Sequence, residues 1–374
     1  MDILIFVAVL VALIVVHEFG HFVVAKLSGM RVDEFGIGYP PRAWGFKKGE
    51  TEYTLNWLPF GGFVKIYGED MEEKLPESVT TTPESEKSRA FSSRPRSLQA
   101  LVLVAGIAMN LLFAYVLITA TLLMGTPRAL APEELATATE VSVAVAGILP
   151  ESPAAKAGLL PGDYVQSASI GVTQWSGTDV EMFTLFVTND TQLAPIELQV
   201  LRGEEIVSLE ATPEVGVIAS DPTRPALGVQ LAVVGVVPVS LQNAPIEGAV
   251  LTWEVTKETA IALVKFFGGV FTFTADLAQV SGPIGIAGAV GSASSQGLSA
   301  LITITALISI NLALINILPI PALDGGRLLF VIIEAITKRP MKPVIANGIN
   351  MVGFGFLILL MLVVSAHDVF KLFG

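Results

Sequence analysis

No cysteine occurs among the 374 residues. Disulfides and thiolate metal ligands are therefore excluded, and any bound metal must be held by His, Asp or Glu. Histidine itself is scarce, with three copies. Charge is thin: Asp, Glu, Lys and Arg make up 15% of the chain, against about 25% in an ordinary soluble domain. Basic residues are outnumbered 22 to 34, for a net charge of -12, and form no run that could track phosphates. No nucleic-acid partner is expected. Internal repeats are lacking too. What remains is apolar: 52% of the residues are hydrophobic and the mean hydropathy is +0.67. These bounds point to a membrane protein, and the length allows two or three units.

A bilayer is spanned by about 20 consecutive apolar residues. Four segments qualify: 1–27, 98–124, 298–320 and 344–372. The first begins like a signal peptide. It lacks a positive leading region and a small-residue cleavage site, and its apolar run continues past His17, so it is expected to be a retained helix. Lys and Arg concentrate in 28–97 and 321–343, which the positive-inside rule places in the cytoplasm. Helix parity then puts 125–297 outside. The predicted fold is an α-helical polytopic membrane protein with about four transmembrane helices, lying in the lipid bilayer.

Between the first two spans, Tyr53, Leu55 and Trp57 alternate with Glu52, Thr54 and Asn56, a period-2 strand pattern. Pro59-Phe60-Gly61-Gly62 punctuates it and β-type residues resume at Phe63. A β-hairpin is therefore predicted over 51–67. Residues 69–90, acidic and rich in Ser, Thr and Pro, read as a loop. Residues 128–230 have soluble-domain composition, with short β-like runs such as 196–201. The segment 231–297 joins it to the third span. Within it, 246–273 reads as an amphipathic helix, lying along the interface or packing on the soluble domain.

Two of the three histidines fall in His17-Glu18-Phe19-Gly20-His21. On a helix, residues four apart share a face. Two imidazoles so placed can share a zinc ion, and the glutamate between them can hold the attacking water as general base. A merely structural polar patch is the alternative. Ionisable groups within a span are costly and usually functional, which favours the zinc site. A catalytic zinc takes three protein ligands and leaves a position for water. His367 has no motif around it. Asp324 follows a span broken by Pro319 and Pro321 and precedes Gly325-Gly326. Irregular backbone at membrane depth needs a protein-lined or watery cavity, so Asp324 is the preferred third ligand. Its alternative role is a cap or turn residue. Polar residues at 36–42 and 321–327 are the expected lining of a water route.

HExxH in the first span and Asn316-Ile-Leu-Pro319-Ile-Pro321-Ala-Leu-Asp324-Gly325-Gly326 after a late one together resemble the site-2 protease family of intramembrane metallopeptidases. The likeness is greatest to the bacterial RseP-type branch. Pro59–Lys65 and Ser281-Gly-Pro-Ile-Gly-Ile286 resemble that branch as well, and 147–165 is similar to the PDZ domains inserted in such enzymes. The resemblance implies an inserted extracytoplasmic α+β PDZ domain at 128–230 and a membrane-associated hairpin. It implies Zn2+ held by His17, His21 and Asp324, with Glu18 activating water. Asn316 would bind the substrate backbone or developing oxyanion. Gly61, Gly62 and Phe63 would pair with the substrate as an added strand.

The substrates implied are single-pass transmembrane proteins, such as anti-sigma factors or remnant signal peptides, cut in a bacterial inner membrane. The PDZ domain would bind a peptide end or exclude bulky substrates. Two departures stand out: one PDZ-like stretch rather than two, and Ile107 where the family often has Pro. Asn110, in the same stretch, is a candidate for substrate contact or for a helix–helix hydrogen bond.

Two other readings compete. Intramembrane His, Glu and Asp also mark ion paths, but transporters usually show internal repeats. A catalytically dead PDZ scaffold would have no use for His17, Glu18, His21 and Asp324 together.

Overall fold

The computed structural model describes residues 2–69, 87–125, 127–189, 192–203, 205–218, 221–272, 274, 281–339 and 341–373. Most of the loop expected at 69–90 lies outside them. In chain order the elements begin with α1 (Asp2–Leu27), β1 (Val32–Lys48), β2 (Thr51–Ile66) and α2 (Arg96–Leu123). Next come β3 (Arg128–Ala129), β4 (Thr139–Ile148), α3 (Pro153–Lys156), β5 (Tyr164–Ile170), β6 (Thr173–Ser176) and α4 (Val180–Thr188). Then follow β7 (Ile196–Arg202), β8 (Glu205–Ala211), β9 (Val229–Val236) and α5 (Ala244–Thr272). The chain closes with α6 (Pro283–Ser295), α7 (Leu298–Ile317), α8 (Asp324–Thr337) and α9 (Pro343–Phe373). Two compact units result: 1–119 with 248–374, and 120–247.

In the first unit, α1, α2, α7 and α9 are long and apolar enough to cross a membrane. The shortest, α7, has 20 residues, or about 30 Å at 1.5 Å per residue, the thickness of a hydrocarbon core. Apolar residues dominate these helices, as expected of spans that meet lipid. Leu101, Leu112 and Val116 on α2, and Met351, Leu359 and Leu362 on α9, are exposed accordingly.

The strand region differs from the expected hairpin. The two arms of 51–67 do not pair with each other. Phe35 stands opposite both Val64 and Tyr53, and Gly36 opposite both Phe63 and Thr54. Both β1 and β2 therefore bend, and four short segments form a mixed sheet in the order 62–66, 32–37, 51–55, 42–48, with the two inner segments parallel and the outer pairs antiparallel. The turn joining β1 to β2 is Gly49-Glu50, with Gly49 at φ +66°. Residues 36–42, expected to line a water route, are part of β1.

The segment 321–343 is likewise more ordered than expected, because Asp324 opens the 14-residue helix α8. The expected amphipathic helix is α5. Its Leu251 and Val255 pack on Ala114 and Ile118 of α2 and on Ala306 and Ile310 of α7, while Trp253 and Val264, read as part of its apolar face, are exposed. The N-terminus of α6 is held by α9, where Asp368 accepts the Gly285 N–H at 2.9 Å.

The second unit is a seven-stranded antiparallel sheet in the order β3-β9-β4-β5-β7-β8, with β6 on β5. Its core gathers Val143, Val165, Trp175, Phe183, Ile196, Leu198 and Val200. In β7, buried and exposed residues alternate, the signature of a sheet with one covered face. Asp179 caps α4 by accepting the N–H groups of Glu181 and Met182. Asp163 is buried and grips Arg202 through two bonds of 2.8 and 2.7 Å. The boundary expected at residue 230 cuts a strand: β9 runs to Val236 and lies between β3 and β4.

Candidate metal centre

His17 and His21 lie one turn apart on α1, both about 8% exposed. Opposite them, α2 presents Val102, Gly106 and Asn110, each four residues from the next and so on one face. The His21 Nδ1–H donates to the Val102 carbonyl at 2.8 Å, which leaves Nε2 with a free lone pair. Asn110 lies 3.3 Å from His17 Nδ1. Its Oδ1 is buried with no partner. Exchanging amide N and O, which look alike, lets Oδ1 accept a proton from Nδ1 and again frees Nε2 for a metal.

Gly106 stands between the two rings. A Cβ there would overlap His21 Nε2 and reach within 2.8 Å of His17 Cε1. The α2 backbone is fixed in turn by Ser309 of α7, whose hydroxyl donates to the Asn110 carbonyl at 2.8 Å.

Asp324 arrives from the break after α7. Gly325 and Gly326 sit so close to the carbonyls of Ile317, Leu318 and Ile320 that any side chain would collide. This tight turn brings Asp324 Oδ2 to 2.9 Å from His17 Nε2 and 3.3 Å from His21 Nε2, and the two Nε2 atoms are 3.1 Å apart. Oδ2 is buried without a hydrogen-bond partner. Zinc bonds of about 2.0–2.1 Å in a tetrahedron separate the ligands by about 3.3 Å, so the three atoms fit one zinc ion. Among the described residues no other cluster of His, Asp and Glu could hold a metal. Asp324 is both the first residue of α8 and a neighbour of the histidines.

The profile of Peptidase family M50 matches residues 5–360. The chain belongs to peptidase family M50. Among its relatives, a candidate zinc metalloprotease of Nostoc sp. is 34% identical over 365 residues, covering 96% of this chain and 93% of the relative. The regulator of sigma-W protease RasP of Bacillus subtilis is 29% identical over 439 aligned residues, covering 98% of each. The zinc metalloprotease RasP of Geobacillus kaustophilus is 30% identical, covering 98% and 97%. The M50 chain is thus a zinc metalloprotease of the site-2 protease type, built on membrane helices, and its cofactor is Zn2+.

In this M50 chain Glu18 is half-buried, and β2 approaches it. A Cβ on Gly62 would lie 3.3 Å from Glu18 Cγ and 3.2 Å from Ile14 Cγ2. Gly61 has φ +120°, and the Phe63 ring stacks on Tyr39 at 6.2 Å. The segment 62–66 pairs with 32–37 on one side, and among the described residues no strand pairs with its other edge. Asn316 is half-buried in the last turn of α7. His367 lies on α9, outside the cluster. Asn110, expected among the substrate contacts, is fully buried and faces His17. Its side chain makes an interhelical contact to His17, and its backbone carbonyl makes a second one to Ser309 of α7.

Val102 and Ser309 carried no signal as site residues. The first acts through its backbone, and the other looks like an ordinary small residue of a membrane helix.

Proposed function

We propose that this M50 peptidase hydrolyses peptide bonds within transmembrane segments of single-pass membrane proteins, with His17, His21 and Asp324 as zinc ligands and Glu18 as general base. The observation that carries the reading is the convergence of three lone-pair atoms within 3.3 Å, two of them on the membrane-spanning helix α1. Bound zinc supplies Lewis acidity and lowers the pKa of water toward 7. Glu18 takes the water's proton and passes it to the leaving amine. Val102 and Asn110 hold the imidazoles in the ligating tautomer. Asn316 donates to the substrate carbonyl as charge develops on it.

A peptide bond in a helix is shielded, so the substrate must unwind first. The edge of 62–64 beside Glu18, on which no strand pairs among the described residues, offers backbone groups to the unwound chain in the manner of β-augmentation. Trp44, Trp57 and Leu58 of the same sheet are exposed, which suits an element that meets lipid or apolar substrate. The second unit is read as a PDZ domain outside the cytoplasm, in a bacterial inner membrane, that admits or binds a peptide end. The orientation rests on the Lys and Arg bias. Its sheet leaves Leu231 on the outer edge of β9 beyond the part taken by β3.

The test is cleavage of a labelled single-span substrate by detergent-purified protein, beside Glu18→Gln, with zinc measured in both. Cleavage by the native chain alone, with equal zinc, is expected. A Glu18→Gln protein that turns over normally would remove Glu18 from its role.

A further inference from the structure

We propose that Arg96 and Glu334 are positioning residues of the zinc centre, a clasp that sets the register of α8 against α2. Arg96 Nη2 lies 2.7 Å from Glu334 Oε2. Glu334 is 8% exposed, and its other oxygen accepts the Met341 N–H at 2.7 Å. Arg96 is steadied from behind, since Nη1 donates to Gln99 Oε1 at 2.8 Å. Gln99 is 1% exposed and donates in turn to the Arg94 carbonyl at 2.8 Å.

Two helices lead from this clasp to the metal site. On α2, Gly106 lies ten residues beyond Arg96 and faces both imidazoles. On α8, Asp324 lies ten residues before Glu334. Each path is about 15 Å at 1.5 Å per residue. The clasp and the zinc centre therefore close the two ends of one ladder whose rails are equal in length.

Between them the contact is apolar, with Val102 and Leu103 of α2 and Val331 of α8 in one cluster. Such packing is non-directional and resists sliding weakly, while zinc ligands must stay within about 0.2 Å of their places. A buried ion pair is poor evidence for stability, and its best-attested use is to fix register. Arg327, which pairs with Glu69 at 2.7 Å, ties α8 to the end of the sheet and not to α2, so it does not replace the clasp.

The inference rests on the assignment of Asp324 as ligand. The experiment is zinc affinity by chelator competition on the full chain in detergent, with the melting temperature of the metal-stripped protein measured alongside. Glu334→Gln and Arg96→Lys should each weaken zinc about tenfold, and the double substitution should lose no more than Glu334→Gln alone. If Glu334→Gln does not fold, Arg96→Lys, which keeps the charge and loses the fork, decides. Unchanged zinc affinity in a folded variant, or single losses that multiply in the double, would overturn the clasp. Asp324→Ala is the control. If it binds zinc as tightly as the native chain, the ligand assignment fails, whatever the clasp variants do.

Discussion

At the scale of single residues, the centre depends on what is missing as much as on what is present. Gly106 has no side chain, and the space where a Cβ would stand is filled by the edges of two imidazoles. Gly106→Ala is expected to push His21 off its Val102 bond and weaken zinc by at least about tenfold, the loss typical of disturbed outer-shell partners. Circular dichroism should show α2 intact, because Ala is the better helix former. Normal zinc affinity in Gly106→Ala would mean that the rings do not need this groove.

A second residue gives a pH dependence away from the metal. Glu50, at the turn between β1 and β2, accepts bonds from Arg89 and Lys26, both 2.7 Å. The Arg89 bond above all, aided by Lys26, holds its carboxyl down at about 2, below the ordinary 4.5. A depressed carboxylate stabilises the fold above its unfolded pKa. That contribution fades as pH falls from about 4.5 through about 2. The melting-temperature gap between native protein and Glu50→Gln should therefore be full at pH 7 and close steadily below pH 4.5. A gap constant down to pH 3 would show that the pair adds nothing to the fold.

At the scale of elements, glycines divide into those under compression and those in the open. Gly325 opens α8 against the carbonyls of Ile317 and Leu318, whereas Gly348 on α9 has nothing within 4 Å of where its Cβ would be. Gly325→Ala should lift the start of α8, displace Asp324 and remove both zinc and activity. Gly348→Ala should leave both intact and raise the melting temperature, since Ala favours a helix interior by about 1 kcal/mol. Equal behaviour of the two variants would argue that the α8 turn is compliant.

The same elements show what could be read beforehand. The four spans were legible within a few residues, because lipid demands an unbroken apolar run and nothing else in the chain supplies one. HExxH was legible because helical period alone aligns His17 with His21. The sheet was read only in part. Alternation is clear at 52–57, but 32–48 holds Gly36, Gly38, Gly45 and Pro40-Pro41, which are residues of bends. Strand partners are set by long-range pairing, which local pattern does not encode. At Asp324 a metal ligand and a cap or turn residue stood as alternatives, because the prolines before it and the glycines after it signal interruption; the folded turn places it both at the start of α8 and beside the histidines. Arg96 with Glu334 was beyond reach, since the two are 238 positions apart by number and each looks like a surface charge.

At the scale of the whole molecule, the two units have separate cores. That of 120–247 is formed by its own strands and by α4, with Trp175 against Phe183 at 4.9 Å and the Asp163–Arg202 fork closing one corner. The three groups proposed to hold zinc, and the residues named above that touch them, come from α1, α2, α7 and α8. If the division is energetic as well as spatial, residues 125–243 expressed alone should melt cooperatively. The chain in which a flexible Gly/Ser linker replaces them should still bind zinc with native affinity and cleave an unstructured span. What should change is choice: the shortened enzyme is expected to alter the ratio of cleavage between substrates with short and with bulky extramembrane parts. Competition between two such substrates in one reaction reads that ratio directly. An unchanged ratio would relieve the inserted unit of any part in selection. Loss of zinc on removing it would mean that α1, α2 and α8 cannot hold their register without it, and the modular picture would fail with it.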